Sequence, residues 1–230
     1  MTKLHIFDMD GTLLRSTASI EISKAIGALP DAIAIEDGWR EGVISDVGFW
    51  ERCLEIWEPA GLDEQSIDIA FNAAPWLEGV EEVFTDIAAR GEHSVVITQS
   101  PQFFVDRLQR WGAQSTYGTQ VALGAAIHED GLISPDDKVK IVVDLLETKG
   151  LTELSCVAYG DSTSDVPLFE WLPNTVAINA SEHVNSLATT SYEGNDLRSA
   201  YRAGRGLFYG LGNNQPKSAS WATSVCEGQQ

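Results

Sequence analysis

Asp8-Met9-Asp10-Gly11-Thr12 sets two carboxylates two residues apart, directly after the apolar run Leu4-His5-Ile6-Phe7. Two acids this close cannot both be ionised cheaply without a cation. A divalent ion would let Asp8 stay an anionic nucleophile. Asp10, just off the run, would then hold a proton for a leaving oxygen and later take one from water. A solvated turn also accounts for an isolated Asp-x-Asp-Gly, so the rest of the chain has to decide.

Gly160-Asp161-Ser162-Thr163-Ser164-Asp165 follows a second apolar run and adds two acids four apart at the start of a helical pattern. Oxygen ligands suit a hard ion such as Mg²⁺, which takes one or two protein carboxylates and keeps several waters. Asp161 is the expected direct ligand and Asp165 its support. Thr98 closes a third run before Gln99-Ser100-Pro101 and a helix, where a hydroxyl and backbone N–H groups can hold phosphate oxygens or simply cap the helix. Lys138 stands in the first turn of a predicted helix, the wrong end for a lysine that serves stability alone. A phosphate partner explains it; Lys140 is expected at the surface.

Four short apolar runs precede these groups or match their pattern: Leu4 to Phe7, Ser94 to Ile97, Cys156 to Tyr159 and Thr175 to Ile178. Helical patterns alternate with them at Val80 to Arg90, Gln102 to Trp111, Asp137 to Lys149, Val166 to Leu172 and Glu182 to Leu187. Such alternation predicts an α/β, Rossmann-like three-layer core with a parallel sheet, and Asp8, Thr98 and Asp161 delivered to one crevice at the strands' carboxyl ends. About 80 residues separate the first two runs, far more than a plain crossover needs. With amphipathic pieces at Ile20 to Ala28 and Phe49 to Trp57 and loop signals at Leu29-Pro30-Asp31 and Pro59-Ala60-Gly61, residues 15–78 are expected to form a small helical cap. Residues 1–14 and 79–212 then form the core. Asp130-Gly131 predicts a hairpin within 121–134, and the Ser-, Asn- and Gln-rich residues 213–230 are expected to be a flexible tail.

The chain has 230 residues, is 43% hydrophobic and carries a net charge of −19. That charge argues against nucleic acid and anionic membrane as partners and requires a cation for any anionic substrate. No run approaches the roughly 20 apolar residues of a membrane helix. The three cysteines, Cys53, Cys156 and Cys226, fit neither a disulfide framework nor a zinc site, so a reducing, cytoplasmic setting is expected.

Taken in order, Asp8-Met9-Asp10-Gly11-Thr12-Leu13, Ile97-Thr98-Gln99-Ser100-Pro101-Gln102, Lys138 and Gly160 to Asp165 resemble the motifs of the haloacid dehalogenase (HAD) superfamily of phosphatases. A cap between the first two motifs, and Asn195-Asp196-Leu197-Arg198 near the end, are similar to the phosphoserine phosphatase branch. The resemblance implies in-line attack by Asp8 with an aspartyl-phosphate intermediate, and acid/base work by Asp10. It implies phosphate binding by Thr98, Gln99 and Lys138, and Mg²⁺ held by Asp8, the Asp10 carbonyl and Asp161 beside Asp165. A small phosphorylated metabolite is the expected substrate. A phosphotransferase or mutase would share these residues, and a non-catalytic binding protein could retain the fold.

Two departures argue against phosphoserine itself. Thr17 stands where that branch has a glutamate, and Ile56 where it has a cap arginine. Substrate selection is expected from Arg15 and from cap residues Trp39, Arg40, Trp50 and Arg52, although a cap this small also needs its large aromatics, Trp57 included, to build a core.

Overall fold

The computed structural model describes residues 2–210; the expected tail lies outside the described residues. Six parallel strands form one sheet in the order β3-β2-β1-β4-β5-β6. In chain order β1 (Leu4–Phe7) leads into four helices, α1 (Ala18–Ala25), α2 (Leu29–Arg40), α3 (Asp46–Trp57) and α4 (Glu64–Ala73). The chain returns through α5 (Val80–Ala89), β2 (His93–Pro101), a short α6 (Gln102–Val105) with a 3₁₀ turn over Asp106–Trp111, and β3 (Ser115–Thr119). It then runs through α7 (Pro135–Lys149), β4 (Cys156–Gly160), α8 (Val166–Trp171), β5 (Thr175–Ile178), α9 (Glu182–Leu187), β6 (Thr190–Tyr192) and α10 (Leu197–Leu207).

The four expected strands are present, and the all-buried patterns of β1, β4 and β5 explain why they read as continuous apolar runs. The two edge strands carry no such signal: β3 is Ser-Thr-Tyr-Gly-Thr and β6 Thr-Ser-Tyr. Strand order reverses at β1, which pairs with β2 on one side and β4 on the other. A crevice opens at such a switch point, beyond the carboxyl ends of β1 and β4.

Three expectations change. The stretch 121–134 is no hairpin: the amides of Gly131 and Leu132 bond back to His128 and Glu129 in a 3₁₀ turn, and buried Val121 and Ile127 pin an otherwise irregular segment. Leu29-Pro30-Asp31 begins α2 rather than a loop, because proline in a first turn sacrifices no helical hydrogen bond. Thr98 does not follow its strand; β2 continues to Pro101 through a register shift between Ile97 and Pro101.

The two connections between cap and core lie side by side. The Arg15 amide donates to the Pro75 carbonyl at 3.0 Å, and Leu77 to Leu13 at 2.8 Å. One apolar cluster runs from Phe7 under the sheet to Trp50, Leu54 and Trp57 in the cap, so cap and core share a hydrophobic interior. Arg107, buried on the core side, forms ion pairs with Glu64 at 2.5 Å and Asp68 at 2.6 Å on α4. Among the described residues, no helix is long and apolar enough to cross a membrane.

Candidate functional site

Asp8 leaves β1 with its amide bonded to the Tyr159 carbonyl of β4 at 2.9 Å, which fixes the chain at the switch point. Lys138 reaches it from the first turn of α7. Its ammonium donates to Asp8 Oδ1 at 2.7 Å, to Asp165 Oδ1 at 2.7 Å and to Ser164 Oγ at 3.0 Å, and the whole side chain is buried. Burial alone would make Lys138 easier to deprotonate, but its ion pairs with Asp165 and Asp8 outweigh that and keep it charged. Asp8 Oδ2 receives no hydrogen bond within the protein, and no buried side-chain polar atom of the described residues lacks a partner, so Oδ2 is open to the crevice.

Asp165 is committed through both oxygens: Oδ1 takes the Lys138 ammonium, and Oδ2 takes the amides of Asp161 at 3.1 Å and Ser162 at 3.3 Å. Asp165 therefore orients the loop that carries Asp161. A glycine must precede that loop, since a Cβ at Gly160 would sit 2.3 Å from the Asp165 carboxyl carbon. Thr12 donates to Asp161 Oδ1 at 2.9 Å. Gly11, with φ of +80°, lets the two loops meet; a Cβ there would lie 2.1 Å from Asp161 Oδ2.

Asp10 points the other way, toward β2 and the cap. Its Oδ1 accepts the Ala18 amide at 2.8 Å, and its Oδ2 accepts the hydroxyls of Thr98 at 3.0 Å and Ser100 at 2.6 Å. Burial raises its carboxyl above the ordinary range, and these hydrogen bonds oppose the shift. Thr98, expected as a phosphate ligand, thus has Asp10 as its partner here. Ser100 shares that role. Gln99 lines the crevice and donates to the Ile133 carbonyl at 3.1 Å.

Asp8, Asp161 and Asp165 each offer an oxygen within 4.8 Å of the others. Burial, reinforced by neighbouring acids and opposed by Lys138, raises Asp8 well above the usual carboxylate range; Asp161 is pushed up to about 7, first by burial and then by Asp165. Four acids, Asp8, Asp10, Asp161 and Asp165, crowd this end of the sheet against the single buried cation Lys138. With Asp165 saturated, the carboxylates of Asp8 and Asp161 form a hard, anionic donor set that fits a divalent ion such as Mg²⁺.

The crevice continues into a cavity of about 860 Å³ between core and cap. Trp39 and Trp50 line it, with Phe49 beside them. Arg40 and Arg52 do not: Arg40 pairs with Asp37 at 2.7 Å on the outer face of α2, and Arg52 is exposed on the outer face of α3. Their helical positions turn them away from the wall that Trp39 and Trp50 form. Arg15 lines the mouth, but its guanidinium donates to Asn195 Oδ1 and the Gly194 carbonyl. Ile56 packs on the apolar interior, and Trp57 is sealed within it, its indole donating to Ser23 at 2.7 Å.

Glu36 of α2 is buried, lines the cavity and accepts hydrogen bonds from Thr17 and Ser19. Its only signal in the sequence is an acid in line with the apolar residues Ala32 and Ile35, on a helix whose first residues read as a loop.

A parallel sheet whose switch point gathers Asp8, Asp161 and Lys138, under a helical cap, defines a class of hydrolase. Residues 6–170 match the family model of haloacid dehalogenase-like hydrolases, and the chain belongs to that family. It is 23% identical over 206 residues to a phosphoserine phosphatase of Archaeoglobus fulgidus, covering 85% of this chain and 58% of that protein. The chain thus spans just over half the length of that relative. A phosphoserine phosphatase of Albidiferax ferrireducens is 24% identical over 204 residues, covering 85% of this chain and 86% of its own. A solved substrate-bound phosphoserine phosphatase superposes with a TM-score of 0.72 at 19% identity, covering 88% of this chain and 98% of the other.

Proposed function

We propose that this chain is an Mg²⁺-dependent phosphatase that hydrolyses a small-molecule phosphate monoester through an aspartyl-phosphate at Asp8. The observation that carries the reading is the Asp8 carboxylate, held at one oxygen by Lys138 and open at the other, with Asp10 held separately beside it by Ala18, Thr98 and Ser100.

The open oxygen of Asp8 attacks phosphorus; the P–O bond to the alcohol breaks as the Asp8–phosphorus bond forms. Lys138 offsets charge on the transferring phosphoryl oxygens, and Asp165 keeps the ammonium in place. Asp10, whose pKa burial raises, gives its proton to the leaving alkoxide. It then takes a proton from the water that cleaves the acyl phosphate, so phosphate and the starting Asp8 carboxylate are recovered. Thr98 and Ser100 aim Asp10 through its Oδ2. Gln99 stands beside the phosphate position on the crevice wall. Bound at Asp8, the Asp10 carbonyl and Asp161, a divalent ion would supply charge neutralisation for the incoming phosphate dianion.

Phosphoserine is the substrate in the names of the relatives; here Thr17 is tied to Glu36, and Ile56 is packed away from the cavity, so neither offers the expected charged contact. The free, buried thiols of Cys53 and Cys156 are consistent with a cytoplasmic setting. The test is release of inorganic phosphate from p-nitrophenyl phosphate and a panel of phosphorylated metabolites, with Mg²⁺ and without an acceptor. Steady release supports hydrolysis; phosphate appearing only on an added acceptor alcohol identifies a transferase instead.

A further inference from the structure

Glu36 stands on the cap wall of the crevice, away from Lys138. It is 7% exposed, yet no lysine or arginine forms an ion pair with it among the described residues. Thr17 and Ser19 both donate to the same oxygen, Oε1, and both are neutral. Oε2 has no partner in the protein, and since no buried polar side-chain atom is left unsatisfied, that oxygen opens on the cavity Glu36 lines. A carboxylate withdrawn from water and met only by hydroxyls is short of compensation, which a ligand cation supplies most fully.

The surroundings suit such a cation. Trp39 lies three residues on and so on the same face of α2. Its indole N–H is tied to Asp46 at 2.7 Å, and its ring stands 5.7 Å from Phe49, which meets Trp50 edge-on at 4.7 Å. All three rings line the cavity, and aromatic faces attract ammonium groups. Nothing comparable awaits an anion beyond the phosphate position. Among the described residues the one lining guanidinium, Arg15, is occupied by Asn195 and Gly194, while Asp46, Glu129 and Asp137 add negative charge to the walls.

We infer that Glu36, with the rings of Trp39 and Trp50, forms a cation-binding subsite for the leaving group, so that the substrate is a phosphate ester of an amine-bearing alcohol that has no carboxylate. The inference rests on the phosphatase reading. It assigns Glu36 to specificity rather than to the chemical step, because Asp8, Lys138 and Asp161 are placed without it.

The experiment compares kcat/KM for ω-aminoalkyl phosphates of two, four and six carbons with the n-alkyl phosphates of three, five and seven carbons, in which methyl replaces ammonium. O-phosphoserine and p-nitrophenyl phosphate complete the panel, and the full chain is used with Mg²⁺. For at least one length the amine is expected to exceed its isostere by about ten-fold, chiefly through KM, and to exceed O-phosphoserine likewise, the size of one buried charged contact. Glu36→Gln keeps an acceptor for Thr17 and Ser19. It should abolish the amine preference, so that each amine falls to the kcat/KM of its methyl isostere. Equal rates for amine and isostere at every length in the parent, or an amine preference that survives Glu36→Gln, overturns the subsite and leaves the phosphatase intact. Inertness of the whole panel overturns both.

Discussion

The two walls of the crevice are built on opposite plans. On the core side Asp8, Lys138, Asp165, Asp161 and Thr12 hold one another through charged hydrogen bonds at the ends of buried strands. On the cap side Glu36, Trp39 and Trp50 sit on helices, are tied by one or two contacts each, and Trp39 remains 39% exposed. A group that must meet phosphorus in one geometry gains from rigid support on every side. A wall that only accepts or rejects a leaving group can be rebuilt residue by residue without disturbing the chemistry. The contrast predicts that substitutions of the core wall act on all esters, and those of the cap wall on some.

The largest break is expected from Asp8→Asn, which should lower phosphate release by at least about a thousand-fold for every ester while circular dichroism stays unchanged. Turnover near the parent rate would refute the nucleophile. Lys138→Met comes next. It leaves Asp8 and Asp165 buried without their cation, and denaturant unfolding at neutral pH should show a loss of about 3–5 kcal/mol. Added Mg²⁺ should recover part of it; a variant as stable as the parent would show that the ion pairs are not what holds this wall together.

A pH series sharpens the same wall. In the metal-free protein Asp161 is raised to about 7. Between its unfolded value near 4 and that pH, the folded state binds the extra proton, so this group's contribution to stability declines as pH rises through 7. Mg²⁺ competes with that proton. Its increment in Tm should therefore be larger at pH 8 than at pH 6, and an equal increment at both would remove Asp161 from the ligands. On the cap side effects should shrink. Arg107→Ala, which cuts the ties to Glu64 and Asp68, should cost about 1–2 kcal/mol and speed hydrogen exchange in α4 ahead of the sheet. Arg52→Ala should leave kcat/KM within about two-fold; a larger loss would bring the outer face of α3 back into substrate selection.

The same contrast explains what could be read from the residues alone. Asp8, Asp10, Asp161 and Lys138 announce themselves because a buried strand or a helix start fixes where each neighbour goes, so spacing along the chain translates into position. Residue types mark Thr98 as polar after an apolar run, but signal neither its place inside β2 nor its tie to Asp10, since no residue type signals the register shift in that strand. In the cap, direction depends on helix phase. Trp39 and Trp50 face inward, while Arg40 and Arg52, one and two residues further on, face out. Glu36 went unnoticed because a proline that opens α2 reads like a turn, and without the helix its inward face cannot be drawn. The edge strands β3 and β6 were missed for want of apolar residues, since each has a neighbour on one side only.

Trp39 has one more consequence. Its indole is fixed by Asp46 at the rim of the cavity, whereas that of Trp57 is sealed in the interior against Ser23. An occupant of the cavity changes the solvent around the first and leaves the second untouched. Among the seven tryptophans of the chain, Trp39 and Trp50 on the cavity wall therefore act as optical sensors of what enters, against a background to which sealed Trp57 contributes.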